Sequence, residues 1–192
     1  MGILDKLGSL LNDRGTDFVK LDRKSDDLIG PGPAILLVNC PSGIVDDELR
    51  DMMSDGVTSV PYGVVRFRRI DTDNETDEKL LGQSVLKVFE DISVSSDDAD
   101  DAVRMAEVMP SNISPSDVLR SYASSVPVIY FSGISNTEMI DTYNIIAQEI
   151  YNETGGAADA ACAKLVKPAF DKSLRQVIEE IAGDHLDAMK MN

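Results

Sequence analysis

The spacing of apolar positions changes several times along the chain, and each change marks an element. Residues 3–11 place Ile3, Leu4, Leu7, Leu10 and Leu11 on one helical face. Thr16 to Asp22 alternates as a short strand does, and Gly30-Pro31-Gly32-Pro33 reads as a linker or rigid turn. Ala34 to Cys40 is a continuous apolar run, the pattern of a strand buried on both faces. After Pro41-Ser42-Gly43 the period becomes helical, with Val45, Leu49, Met52 and Met53 inward as far as Gly56. Gly63 to Ile70 predicts a second strand, and Leu81, Val85, Val88 and Phe89 a further helical stripe.

Beyond it lies an acidic helical segment capped at Ser96 and ended by Pro110. Ser114-Pro115-Ser116-Asp117 starts another helix. Val126-Pro127 opens the strand Val128 to Phe131, and Ser135-Asn136-Thr137-Glu138 is a capping box for the helix that follows. That helix turns Met139, Ile140, Tyr143, Ala147 and Ile150 inward and stops at Gly155-Gly156. An alanine-rich helix (157–166) and a last helix after Pro168 complete the reading; Phe170, Leu174, Val177, Ile178 and Ile181 form the last stripe. No internal repeat is visible in this pattern.

Strand–helix alternation predicts an α/β fold: a small, mainly parallel sheet of three to four strands flanked by helices, helix-rich, in Rossmann-like or thioredoxin-like layering. The organisation expected is an N-terminal amphipathic segment and linker (1–32), then a single α/β domain (33–192) with an acidic helical insertion near 92–125.

Charge narrows the partners. The 192 residues carry 34 acidic and 18 basic side chains, a net charge of −16. That field repels nucleic-acid backbones and anionic lipid, so nucleic acid is excluded as a partner. Asp outnumbers Glu by 24 to 10 and Lys is held to 9, a balance suited to a salt-rich cytoplasm. A halophilic source, or a virus of one, is one hypothesis that this balance raises. The one histidine, His185, sits near the end of the chain and reads as a solvated helix-end residue, which leaves no imidazole for a triad or a two-histidine metal site. Cys40 and Cys162 form no C-x-x-C pair, no run of apolar residues is long enough to span a bilayer, and no signal-peptide core precedes the domain. The expected location is cytoplasmic, with peripheral membrane or virion association as alternatives.

Three constellations carry candidate chemistry. Asp71, Asp73 and Glu75 set oxygen ligands at alternate positions after a strand, as Mg²⁺ or Ca²⁺ would require. A calcium loop would need glycine and glutamate where Thr76 and Gly82 stand. Arg66, Arg68 and Arg69 interrupt the second strand; guanidinium forks bind carboxylate and phosphate, so they are candidates for an anion or an acidic protein partner. Cys40 stands where a strand is expected to meet a helix, which would lower its pKa and make it a candidate catalytic thiol. That layout, with Val126-Pro127 before a later strand, is similar to thioredoxin, although Gly43 replaces the second cysteine.

The start M-G-I-L-D-K-L and the later D-F-V-K-L-D resemble the archaeal SepF family of membrane-anchored cell-division adaptors. The strand and helix from Val126 to Gly156 are loosely similar as well, whereas residues 34–110 have no counterpart in it. The resemblance implies a membrane-facing N-terminal segment and a protein partner. The residues themselves lead to a non-catalytic adaptor or assembly protein working through amphipathic terminal helices, with self-association or a protein partner expected and a membrane surface as the alternative contact for Ile3 to Leu11. The competing expectations are a metal-dependent transferase or hydrolase at Asp71/Asp73 and single-thiol redox chemistry at Cys40.

Overall fold

The computed structural model describes residues 27–95 and 126–190. Nine of their segments are regular helices or strands. They run β1 (Ala34–Val38), α1 (Asp46–Gly56), β2 (Arg66–Ile70), α2 (Glu78–Leu81), α3 (Val85–Val94), β3 (Val128–Ser132), α4 (Asn136–Glu153), β4 (Ala161–Lys164) and α5 (Leu174–Lys190), with a short 3₁₀ turn at Lys167–Ala169. The fold is α/β and helix-rich, with one four-stranded sheet in the order β2-β1-β3-β4. β1 and β3 are central and buried throughout, as their unbroken apolar runs require.

The sheet is mixed rather than mainly parallel. β1 pairs parallel with β2 and β3 parallel with β4, but β1 and β3 run antiparallel, with Leu36 opposite Tyr130. A buried apolar run looks the same in either direction, so its pattern carries no information on strand sense. Helices cover both faces. Leu36, Val38, Val88, Phe89, Tyr130, Val177 and Ile178 share the core under α3 and α5. Ile35, Leu37, Leu49, Met53, Ile129, Phe131, Met139 and Ile146 share the one under α1 and α4. Gly56 ends α1 where a Cβ would come within 2.2 Å of Thr142 Oγ1, so this glycine permits the close crossing of α1 and α4.

Other boundaries also depart from expectation for local reasons. The alanine-rich stretch is strand β4, not helix. Gly155 and Gly156, both at positive φ, end α4, and the open edge of β3 then pairs with Ala161–Lys164, overriding alanine's helical preference. The expected stripe from Leu81 to Phe89 is two helices separated at Gly82–Ser84. Of the two readings of Gly30 to Pro33, linker or rigid turn, the contacts fit the second: Ser132 Oγ donates to the Pro31 carbonyl, and Gly133 N donates to the Ile29 carbonyl at 2.9 Å. The capping box at Ser135 forms as its sequence predicts, and Glu138 also accepts from Ser59 N at 2.7 Å.

The order of elements repeats. β1-α1-β2-α3 and β3-α4-β4-α5 have the same topology, α1 and α4 lie on one face, and α3 and α5 lie on the other. The antiparallel β1/β3 pair relates the halves by an approximate two-fold. A second element obeys the same relation: Ser84 and Ser173 form an antiparallel bridge just before α3 and α5, with Val85 N donating to Lys172 O and Leu174 N to Gln83 O. In that frame Ser84–Ile92 matches Ser173–Ile181, with four identical residues (Ser84/Ser173, Val88/Val177, Glu90/Glu179, Ile92/Ile181) and the same burial at all nine positions. The chain therefore contains an internal repeat that its hydropathy pattern hides.

Candidate functional site

Strand register pairs the halves residue by residue. β1 residues 34–38 correspond to β3 residues 128–132, and β2 residues 66–69 to β4 residues 161–164. Arg69 thus corresponds to Lys164, and both cations are consumed by the fold. The Arg69 guanidinium donates to the carbonyls of Ile44, Cys40 (3.1 Å) and Pro41 and to the Asp46 carboxylate at 3.3 Å, with 16% of the side chain exposed. Lys164 Nζ donates to Asn136 Oδ1 at 2.6 Å and to the Asp27 carbonyl at 2.9 Å, and the residue is 7% exposed. Asp46 opens α1 and Asn136 opens α4. In each half, then, a cation from the outer strand is tied to the first residue of the crossover helix. Sequence reasoning missed Lys164 because its alanine-rich surroundings (157–166) predicted a helix rather than an outer strand.

The arginine triplet is split accordingly. Arg69 faces the α1 side and is internal, so its reading as a contact residue gives way to a clamp on the β1–α1 loop. Arg66 and Arg68 lie on the opposite face, as the two-residue period predicts, and both are half-buried on the edge strand. Arg66 Nη1 reaches the Gly63 carbonyl at 3.4 Å.

Cys40 corresponds to Ile134, a core residue. Helix α1 begins six residues after Cys40, because the Arg69 clamp holds residues 40–44 in a loop. The thiol is not at a helix N-terminus. Burial pushes its pKa up to about 11, with the Arg69 charge lowering it only in part and Asp46 raising it further. Neither its place in the fold nor its surroundings activate the thiol in the expected way. Cys162 is exposed on β4.

The Asp71–Glu75 loop is organised by its own hydrogen bonds. Asp71 Oδ1 accepts from Asp73 N, Asp77 Oδ2 accepts from Asp71 N, and Asn74 Oδ1 accepts from Thr76 N. Among the described residues no group of three or more His, Cys, Asp or Glu side chains is placed to hold a metal ion, so Asp71, Asp73 and Glu75 are not gathered into the expected Mg²⁺ or Ca²⁺ site. Asn39, at φ 52°, ties this loop to the sheet: its Oδ1 accepts from Thr72 N and Oγ1 at 3.0 Å, and its Nδ2 donates to Val126 O. His185, expected to be solvated, is half-buried on α5 with Nε2 3.9 Å from Asp159. Ile3, Leu4, Leu7, Leu10 and Leu11 lie outside the described residues.

Among the described residues, grooves lie at the carboxyl ends of the parallel pairs, where open α/β sheets place ligands. Beyond β1 and β2, a groove of about 340 Å³ is lined by Asn39, Thr72, Asp73, Val126 and one face of α5, with Ile178, Ala182 and Leu186 apolar and Arg175 and Glu179 charged. Beyond β3 and β4, a groove of about 630 Å³ is lined by Asp27, Leu28, Ile29, Lys167, Phe170 and one face of α3, including Leu86 and Glu90. The two-fold relates them: Glu90 corresponds to Glu179, Leu86 to Arg175 and Lys167 to Thr72. Of these groove residues only Asp73 stood out in the sequence as candidate chemistry; Phe170 and Ile178 read as core positions. The signal that would have found them is the match between Ser84–Ile92 and Ser173–Ile181.

Among the described residues no helix is long and apolar enough to cross a membrane. Comparison of the chain with protein-family models, with curated proteins and with solved structures finds no match.

Proposed function

We propose that this chain is a non-catalytic adaptor or assembly protein whose terminal helix makes protein–protein contacts. The observation that carries the reading is α5. Its apolar stripe packs on the sheet through Leu174, Val177, Ile178 and Ile181, then continues past the core through Ala182 to Leu186 and Met189, which are 45% and 49% exposed. An amphipathic face that outruns its own core is available to a partner, and apolar side chains kept in water are disfavoured unless something covers them. Arg66 and Arg68 on the edge strand are a second contact surface in this reading, suited to an acidic partner.

The test is capture from source-cell lysate with the full chain and with the Leu186→Ser/Met189→Ser variant as bait. The reading requires a protein held by the first and held less by the second. Equal retention by both, or none by either, contradicts it.

A further inference from the structure

The two grooves have the same balance of chemistry. The first carries Asp73 and Glu179 against Arg175, and the second carries Asp27 and Glu90 against Lys167. Each thus sets two carboxylates against one cation beside an apolar wall, Ile178–Ala182–Leu186 in one and Leu28–Ile29–Leu86–Phe170 in the other. In the first, Arg175 is further neutralised by its ion pair with Glu78. Glu90 and Glu179 occupy equivalent, exposed positions on the repeated helix segment. Neither is needed for packing, yet the same residue stands at both.

We propose that the grooves are twin docking sites for a short basic, apolar segment of a partner protein, two such segments per chain, so that the molecule is a bivalent connector. This rests on the adaptor reading and gives it a partner chemistry and a stoichiometry. The exposed apolar side chains, Leu186 in one groove and Leu28 in the other, give a segment its anchors, and the acidic rim selects Lys or Arg beside them. The net charge of −16 steers a cationic segment toward the protein and repels an anionic one, so association is fast and falls with salt. A second copy of the chain is a poor occupant, because its acidic helices would bring carboxylates against carboxylates. Two linked sites also raise the avidity for a filament or repeat of partners without new contacts.

Calorimetric titration of the full chain with a short amphipathic Leu/Lys peptide, and with its Leu/Glu counterpart, tests this directly. The Leu/Lys peptide should bind at two per chain and the Leu/Glu peptide not at all. Glu179→Lys should leave one site, Glu90→Lys should leave the other, and the double variant none, with circular dichroism confirming that each is folded. Asp73→Asn should weaken its groove about tenfold. The control Asp55→Asn/Asp141→Asn changes the net charge elsewhere by as much as either single Glu→Lys variant and should leave both sites unchanged. Binding lost equally in that control would reduce the effect to bulk charge and overturn the proposal, as would one site per chain, or Leu/Glu binding. If the chain dimerises and Glu90→Lys or Glu179→Lys abolishes the dimer, the occupant is a second copy and the proposal falls. A lysate partner held less by Leu186→Ser/Met189→Ser while the Leu/Lys peptide fails would leave the adaptor reading standing and remove this inference alone.

Discussion

The two halves of the molecule, 34–94 and 128–190, solve the same structural problem with different side chains. Each must hold the loop after a central strand against the start of its crossover helix. The first uses Arg69, whose fork reaches three carbonyls and Asp46. The second uses Lys164, a point charge that reaches Asn136 and the Asp27 carbonyl. Where the loop runs from Cys40 to Val45, several carbonyls need donors and a guanidinium can serve them together; Lys has three donors on one nitrogen. The corresponding loop of the second half, from Ile134, leads at once into the Ser135 cap, so fewer groups remain to be satisfied. Charge on an outer strand is therefore not evidence of a site until the acceptors within the chain have been counted.

The largest measurable consequence concerns the residue held in the first loop. Cys40 stands in the place of Ile134, and burial raises its pKa from 9.0 to about 11. At pH 8 its alkylation should be about a hundredfold slower than that of an ordinary thiol, with the rate still climbing beyond pH 10. The sign for stability follows from the same shift. A thiol whose folded pKa is raised favours the native state below about pH 9, and that contribution is lost as pH rises toward about 11. A rate plateau near pH 8 would separate Cys40 from its core counterpart and break the comparison.

The clamps come next. Arg69→Ala removes the guanidinium donors to three carbonyls and to the Asp46 carboxylate and should cost about 3 kcal/mol in urea denaturation. Lys164→Ala should cost about 2 kcal/mol. Arg69→Lys should recover only part of the loss, because an ammonium cannot span the same acceptors. Full recovery would mean that the fork is irrelevant to the loop.

Smaller still is the effect at matched core positions. Ile92→Val and Ile181→Val should each cost about 1 kcal/mol, and the two should agree within about 0.5 kcal/mol if the repeated helices are equivalently packed. Leu186→Ser should change stability by no more than about 0.5 kcal/mol, because the side chain lies beyond the core, while weakening partner contact at its own groove. A large loss of stability would place Leu186 in the core and remove the contact surface.

Much of the architecture was legible as periodicity. The central strands announced themselves as unbroken apolar runs, the capping box at Ser135 placed α4, and the α5 stripe reads Leu174, Val177, Ile178, Ile181 in both sequence and structure. What stayed hidden depends on pairing between distant segments. Strand direction at β1/β3 is not encoded in burial, and β4 formed from a helix-favouring sequence because an open edge lay beside it. Arg69 looked like a surface cation because its acceptors, at residues 40–46, are distant along the chain. The grooves were hidden for a related reason: Glu90 and Glu179 are unremarkable one at a time, and their equivalence emerges only when the two helix segments are set side by side.

The most direct test of the twin-groove account is methyl NMR of the full chain during titration with the Leu/Lys peptide. The account predicts that the methyls of Leu86 and Leu186, one in each groove, shift together and saturate at two peptides per chain. Ile44 and Ile134, behind the clamps, should not move. Shifts at Ile44, or at one groove alone, would contradict it.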